Sequence, residues 1–185
     1  GAFRVAAVCG RVSAGMKKGF YVRLTRALKQ AGCFTAFDAS GAPLREGLET
    51  GADLVKINKS EFEEISGAVL SPRGVRRFFG KYSPLGLKAL IVTNGSRATL
   101  AASRFGLWEA LSIPLKRVES SVGAGDSFMA GFISGFLKRL VFEANLKLAV
   151  GCAASDCLTL GSGLISGREA EVFAGRVKIR ELVTT

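Results

Sequence analysis

The sequence predicts an α/β fold, a sandwich of helices around a largely parallel sheet. Three observations point there. Apolar runs of strand length alternate with stretches whose apolar residues recur at helical spacing. Apolar residues make up 48% of the 185 residues and charged residues 22%, which suits one sizeable core rather than a disordered chain. The apolar runs end in polar or glycine-rich segments: Cys9-Gly10, Asp38-Ala39-Ser40-Gly41, Lys56-Ile57-Asn58 and Thr93-Asn94-Gly95. Ligands of doubly wound sheets bind beyond such strand ends.

The elements follow in order. Phe3–Cys9 is a short apolar run and reads as a buried strand, with a loop over Gly10–Gly15. Gly19–Ala31 places Phe20, Leu24, Ala27, Leu28 and Ala31 on one helical face, and Gly32 is its expected C-cap. Cys33–Asp38 is a strand that ends in a turn signal, and Pro43–Glu49 is a short helix. Ala52–Ile57 is the next strand. Glu61–Ile65 opens a helix with Ser60 or Asn58 as cap, and Gly74–Tyr82 is helical. Leu87–Thr93 and Ala98–Arg104 are strands joined by Asn94-Gly95-Ser96, a tight-turn signal. Ala124–Leu140 and Glu143–Leu160 are the two longest helical patterns. Ser166–Gly175 is a last helix and Val177–Leu182 an edge strand. No linker, repeat or low-complexity segment divides the chain, so residues 1–185 are read as a single α/β unit.

Composition removes several classes of chemistry. The chain has no histidine, which excludes Ser-His-Asp hydrolysis, Cys-His proteolysis and the usual zinc sites. A general base must be a carboxylate, Lys, Cys or Tyr. No apolar run is long enough to span a bilayer, and the first ten residues do not read as a signal peptide. Cys9, Cys33, Cys152 and Cys157 form no C-x-x-C pair and are read as buried, reduced thiols of a cytoplasmic protein. The net charge is +11, concentrated in the first 100 residues but scattered there, and the aromatics are not interleaved with it. A phosphorylated small molecule in a basic cleft suits this pattern better than nucleic acid, and neither a nucleic-acid nor a membrane partner is expected.

Three local features carry chemistry. In Ser120-Ser121-Val122-Gly123-Ala124-Gly125-Asp126-Ser127-Phe128, two glycines lie just before a long apolar helix. Glycines allow a tight turn, and N–H groups at a helix start point at an anion. Asp126 falls in the first turn, where the helix dipole favours a carboxylate that stays ionised. Read alone, the segment is better taken as a glycine loop with Asp126 as helix cap. Asn58-Lys59-Ser60-Glu61 offers two oxygen donors to Mg²⁺ or its waters, or else a capping box. Thr93-Asn94-Gly95-Ser96 could hold a phosphate or simply turn a hairpin.

The order of these features resembles the ribokinase-like (PfkB) carbohydrate kinases. Ser120–Phe128, continued by Ala130-Gly131-Phe132, is similar to the family's signature ending in G-A-G-D-[ST]-F. Phe37-Asp38-Ala39-Ser40-Gly41 and Ser121-Val122 resemble the 1-phosphofructokinase and tagatose-6-phosphate kinase branch. The likeness runs over roughly residues 5–175. There are departures. Gly10-Arg11-Val12-Ser13-Ala14-Gly15 lacks the Ser-Leu-Pro of a G-S-L-P-x-G loop, Ile57 stands where Pro is usual, and Ala98 replaces the second glycine of the nucleotide turn.

The resemblance implies a three-layer α/β/α sandwich, here as the C-terminal, nucleotide-binding portion without the N-terminal part and its β lid. It implies an ATP-dependent phosphotransferase acting on the hydroxyl of a phosphorylated sugar, of the fructose 1-phosphate or tagatose 6-phosphate class, with Mg²⁺. Asp126 is then the base, and the N–H groups of Gly123, Ala124 and Gly125 are the anion hole. Asn58 and Glu61 position the metal. Lys56, Thr93, Asn94, Gly95, Ser96 and Ala98 contact ATP phosphates, and adenine lies near Ala153. A homodimer is compatible with the family. A different class of reading is a truncated, non-catalytic nucleotide- or protein-binding module of the same fold.

Overall fold

The computed structural model describes residues 4–10 and 15–183. The expectations placed on Phe3 and on Arg11–Ala14 lie outside the described residues. The chain divides into two compact units, Gly1–Asn94 with Leu100–Leu107 and Leu182–Thr185, and Gly95–Thr99 with Trp108–Glu181.

The first unit is built on a sheet in which strand order follows chain order. Its strands are β1 (Val5–Gly10), β2 (Phe34–Ala39), β3 (Leu54–Asn58), β4 (Ala89–Thr93) and β5 (Thr99–Ser103), whose first residue belongs to the second unit. The first four are parallel, so their carboxyl ends share one edge, and β5 returns antiparallel on β4. Helices α1 (Phe20–Gln30), α2 (Gly41–Glu49), α3 (Lys59–Ser66) and α4 (Pro72–Tyr82) connect them. Period-two alternation puts Phe37, Val55, Ile57, Leu90 and Val92 into a core with Leu44, Leu48, Phe62, Val75 and Phe78. Asp38 and Lys56 therefore project from the other face.

Local chemistry explains the helix ends. α1 starts at Gly19, which has no side chain to cap it; the Glu46 carboxylate of α2 accepts instead from the N–H groups of Gly19 at 3.0 Å and Tyr21 at 3.1 Å. Ala31 closes α1, and Gly32 follows in the left-handed region at φ 74°.

At the opposite edge, Asp53 is 4% exposed. It accepts from Thr35 N–H and Oγ1, both at 2.9 Å, and pairs with Lys88 Nζ at 2.8 Å. Burial works to raise its pKa, but the hydrogen bonds from Lys88 and Thr35, with Lys29 nearby, outweigh it and hold the carboxyl below its ordinary 3.8. A depressed folded-state value means that the contribution to stability is present above the unfolded value and is lost as pH falls through the folded one. Stability should therefore decline below about pH 4. Asp53→Asn should flatten that part of the profile, as read from denaturant midpoints between pH 2 and 6. An unchanged acid limb in the variant would assign the loss to other carboxylates.

The second unit holds β6 (Gly106–Ala110), whose first two residues belong to the first unit, α5 (Ala124–Leu137), α6 (Phe142–Asp156), α7 (Gly167–Arg176) and β7 (Ile179–Glu181). β6 pairs antiparallel with β7. β6 has no counterpart in the sequence reading: five residues without polar alternation, straight after the Arg104-Phe105 turn, give no period to detect. The helices meet through glycines. A Cβ at Gly131 would lie 2.8 Å from Cys152 Sγ, one at Gly135 would strike Asn145 Oδ1, and one at Gly151 the carbonyl of Ala170. α6 stops at Asp156, short of Leu160, where Thr159 Oγ1 donates to the Asp156 carbonyl at 3.0 Å. All four cysteines are free thiols. Cys33 and Cys152 are buried as expected, whereas Cys9 is exposed on β1 and Cys157 half-buried in the turn after α6. Burial pushes the Cys152 thiol up, which suits a core filler and not a nucleophile.

Candidate active site

The sequence-predicted residues divide between the two units. Lys56, Asn58, Glu61, Thr93 and Asn94 belong to the first; Gly95, Ser96, Ala98, Gly123, Ala124, Gly125, Asp126 and Ala153 to the second.

In the first unit the parallel register gathers its group at the carboxyl ends of β3 and β4. Asn58 sits beside Thr93, and Lys56 beside Ile91. Thr93 Oγ1 donates to the Ile57 carbonyl at 3.4 Å. Asn58 caps α3: its Oδ1 accepts from Glu61 N–H at 3.0 Å, and Glu61 Oε2 accepts from Asn58 N–H at 2.9 Å. The capping box is thus formed, by Asn58 rather than Ser60. It engages one carboxylate oxygen of Glu61, Oε2. One carboxylate and one amide fit a water-mediated Mg²⁺ better than direct ligation; among the described residues no three His, Cys, Asp or Glu side chains cluster to hold a metal. Asn58→Ala should cost about 1 kcal/mol through loss of the cap. The measurement is the denaturant midpoint with EDTA and with Mg²⁺. A midpoint unchanged under both conditions would mean that the box contributes nothing.

Lys56 is not a loose surface lysine. Its side chain is 6% exposed, and Nζ lies 2.6 Å from Asp38 Oδ2 at the end of β2. Sequence reasoning placed Asp38 at a polar strand end and in the family likeness, but gave it no role of its own. The signal was present, since an Asp closing one parallel strand and a Lys near the end of the next are neighbours once the register is known.

In the second unit, Gly123 is the N-cap of α5, at φ 91°, and Asp126 stands exposed in the first turn. Ala124 N–H is partly engaged, donating to the Ser121 carbonyl at 3.3 Å. The turn rests on the end of α6 and the segment after it. Glu119 N–H donates to the Cys157 carbonyl at 2.9 Å. A Cβ at Gly123 would meet the Ser162 hydroxyl and come within 2.9 Å of Asp156 Oδ2. Asp156 is 1% exposed and accepts from Gly163 N–H at 2.7 Å. Neither Asp156 nor Ser162 was singled out from sequence, although Asp156 is a polar interruption in an apolar helix. Gly95 adopts φ 57° in the β4–β5 hairpin, with Ser96 exposed and Ala98 half-buried. Ala153 is half-buried on α6.

A glycine turn opening a long helix, with a carboxylate in its first turn, can present N–H groups to an anion and a base beside them. Comparison with known proteins gives this arrangement a family. The profile of the pfkB family carbohydrate kinases matches residues 1–166. The 1-phosphofructokinase of Haemophilus influenzae is 31% identical over 153 residues, 82% of this chain and 49% of that protein. The Escherichia coli 1-phosphofructokinase is 30% identical over 182 residues, 97% of this chain and 58% of that protein. The chain thus spans about half the length of the curated relatives it matches. Among solved structures, Escherichia coli phosphofructokinase-2 in complex with potassium superposes with TM-score 0.83 at 22% identity, over 92% of this chain and 56% of that one. Arabidopsis thaliana ribokinase complexed with ribose and ATP gives 0.75 at 20%, over 91% and 55%. Both likenesses confirm the ribokinase-like α/β fold. On its sequence match across residues 1–166 and the glycine turn that the structure places at the start of α5, the chain belongs to the pfkB family of carbohydrate kinases.

Proposed function

We propose that the chain is the nucleotide-binding portion of an ATP-dependent phosphotransferase acting on the hydroxyl of a phosphorylated sugar, of the fructose 1-phosphate or tagatose 6-phosphate class. The observation that carries this is Asp126, exposed in the first turn of α5 behind a glycine at φ 91°. Asp126 takes the proton from the acceptor hydroxyl as that oxygen attacks the γ-phosphorus of ATP and the bond to ADP breaks. The N–H groups of Gly123, Ala124 and Gly125 face the charge that develops on the transferred phosphoryl group. Lys56, Thr93, Asn94, Gly95, Ser96 and Ala98 hold the triphosphate, and Ala153 lies by the adenine. Asn58 and Glu61 hold Mg²⁺ through its waters; when bound, the ion supplies neutralising charge to the phosphates. A cytoplasmic location and a homodimer accord with this reading. Among the described residues no helix is long and apolar enough to cross a membrane.

The test is calorimetry of ATP with and without Mg²⁺, beside a phosphorylation assay on fructose 1-phosphate and tagatose 6-phosphate. Absence of any ATP binding would overturn the reading. One observation favours the second reading, a non-catalytic module: Asn58 Oδ1 and Glu61 Oε2 are already engaged in the capping box. ATP binding that does not respond to Mg²⁺, with no turnover of either sugar phosphate, would decide for that module.

A further inference from the structure

The pair Lys56–Asp38 is a short, nearly buried ion pair, with side chains 6% and 14% exposed. Parallel pairing sets Phe37 beside Val55, which brings Asp38 level with Lys56 one residue on. On the outer side, β1 places Cys9 level with Asp38; on the inner side, β4 places the fully buried Ile91 level with Lys56. The ammonium therefore sits in a row across the sheet where it pairs with Asp38 and the flank toward β4 is apolar. A lysine stem is long and flexible, and holding it in one rotamer has an entropic cost that a lone hydrogen-bonding phosphate must meet on each binding event. A fixed carboxylate at 2.6 Å meets that cost in advance. An ammonium has three donors, of which Asp38 takes one along a set direction, so the direction of the others is set too.

We propose that Asp38 is a positioning residue of the phosphate site: it holds Lys56 at the strand edge in the orientation that receives the triphosphate. This deepens the reading of Lys56 as a nucleotide contact and rests on it. Asp38 acts through Lys56 and touches no ligand itself.

The experiment is a double-mutant cycle on the full 185-residue chain, read by calorimetry with two probes, inorganic tripolyphosphate and adenosine. Asp38→Asn and Lys56→Met should each weaken tripolyphosphate by about tenfold, and the double variant should be no weaker than either single. Adenosine affinity should stay level in all three, which a general structural loss would not allow. Thermal melts accompany each variant. If Asp38→Asn alone does not fold because it leaves a buried cation unpaired, the double variant, which removes both charges, and Asp38→Glu, which keeps the acid, complete the cycle. Asp38→Glu should recover most of the tripolyphosphate affinity. Should Lys56→Met weaken tripolyphosphate while Asp38→Asn leaves it unchanged or tighter, or should the two losses add, the positioning role is overturned and the nucleotide reading of Lys56 stands. Should Lys56→Met have no effect, that reading fails and the proposal falls with it.

Discussion

Asp126→Asn is expected to lower phosphoryl transfer by about 10²–10⁴-fold, the usual loss on removing a general base. The prediction applies wherever this chain, alone or within a longer polypeptide, turns over a sugar phosphate. Nucleotide affinity should hardly move. Asp126 is exposed in the first turn of α5, no hydrogen bond among the described residues ties its side chain to the fold, and in the proposed reaction it acts on the acceptor hydroxyl. The amide keeps the size of the side chain and costs the helix start only the dipole interaction, about 0.3–1 kcal/mol. Initial rates at saturating substrates, set beside the dissociation constant of a non-hydrolysable ATP analogue, separate the two effects. Near-normal turnover would reduce Asp126 to a residue that merely favours the helix start. A parallel fall in affinity would move its role to the nucleotide.

The alternation of strands and helices was legible because each parallel strand of the first unit is a short apolar run that ends at glycine or polar residues, and its connecting helices carry an apolar face. Positions at element ends were less so. Gly41–Glu49 begins two residues before Pro43, because Ser40 and Gly41 already turn the chain. α5 ends at Leu137 rather than Leu140, where Arg139 takes a positive φ of 60° that no sequence pattern announces. The motif residues of the site were visible as types at fixed spacing, but not what each touches. Asn58 and Glu61 show this: their spacing favours a capping box and also suits a metal, and the structure shows the box formed. Lys56 shows it more strongly. Its partner lies 18 residues away on another strand, a contact that depends on register and so on tertiary structure. Asp156 and Ser162 were hidden for the same reason, since they approach Gly123 only because α6 returns antiparallel to α5.

That approach gives the second large expectation. Gly123→Val should destabilise the chain by about 3 kcal/mol and weaken nucleotide binding with it, whereas Gly163→Ala should cost about 1 kcal/mol and leave binding in place. Both glycines lie in the left-handed region, at φ 91° and φ 75°. Both substitutions thus incur the backbone penalty of a side chain there, about 1–2 kcal/mol. They differ in the space around them. A Cβ at Gly163 meets nothing within 4 Å; one at Gly123 strikes the Ser162 hydroxyl and lies 2.8 Å from Ser162 Cβ and 2.9 Å from Asp156 Oδ2. Ser162 could rotate its hydroxyl away, but its Cβ moves only with the backbone, and Asp156 is held from the other side by Gly163 N–H at 2.7 Å. The relief available is for the turn itself to lift, which redirects the N–H groups of residues 123–125 that the proposed reaction needs. Denaturant midpoints for the two variants, with tripolyphosphate affinity measured on whatever remains folded, test the argument. Equal losses at the two positions would mean that strain alone governs both and that the packing of Ser162 and Asp156 beneath Gly123 is inconsequential. A destabilised Gly123→Val that still bound tripolyphosphate at full strength would show that the anion is not held by this turn.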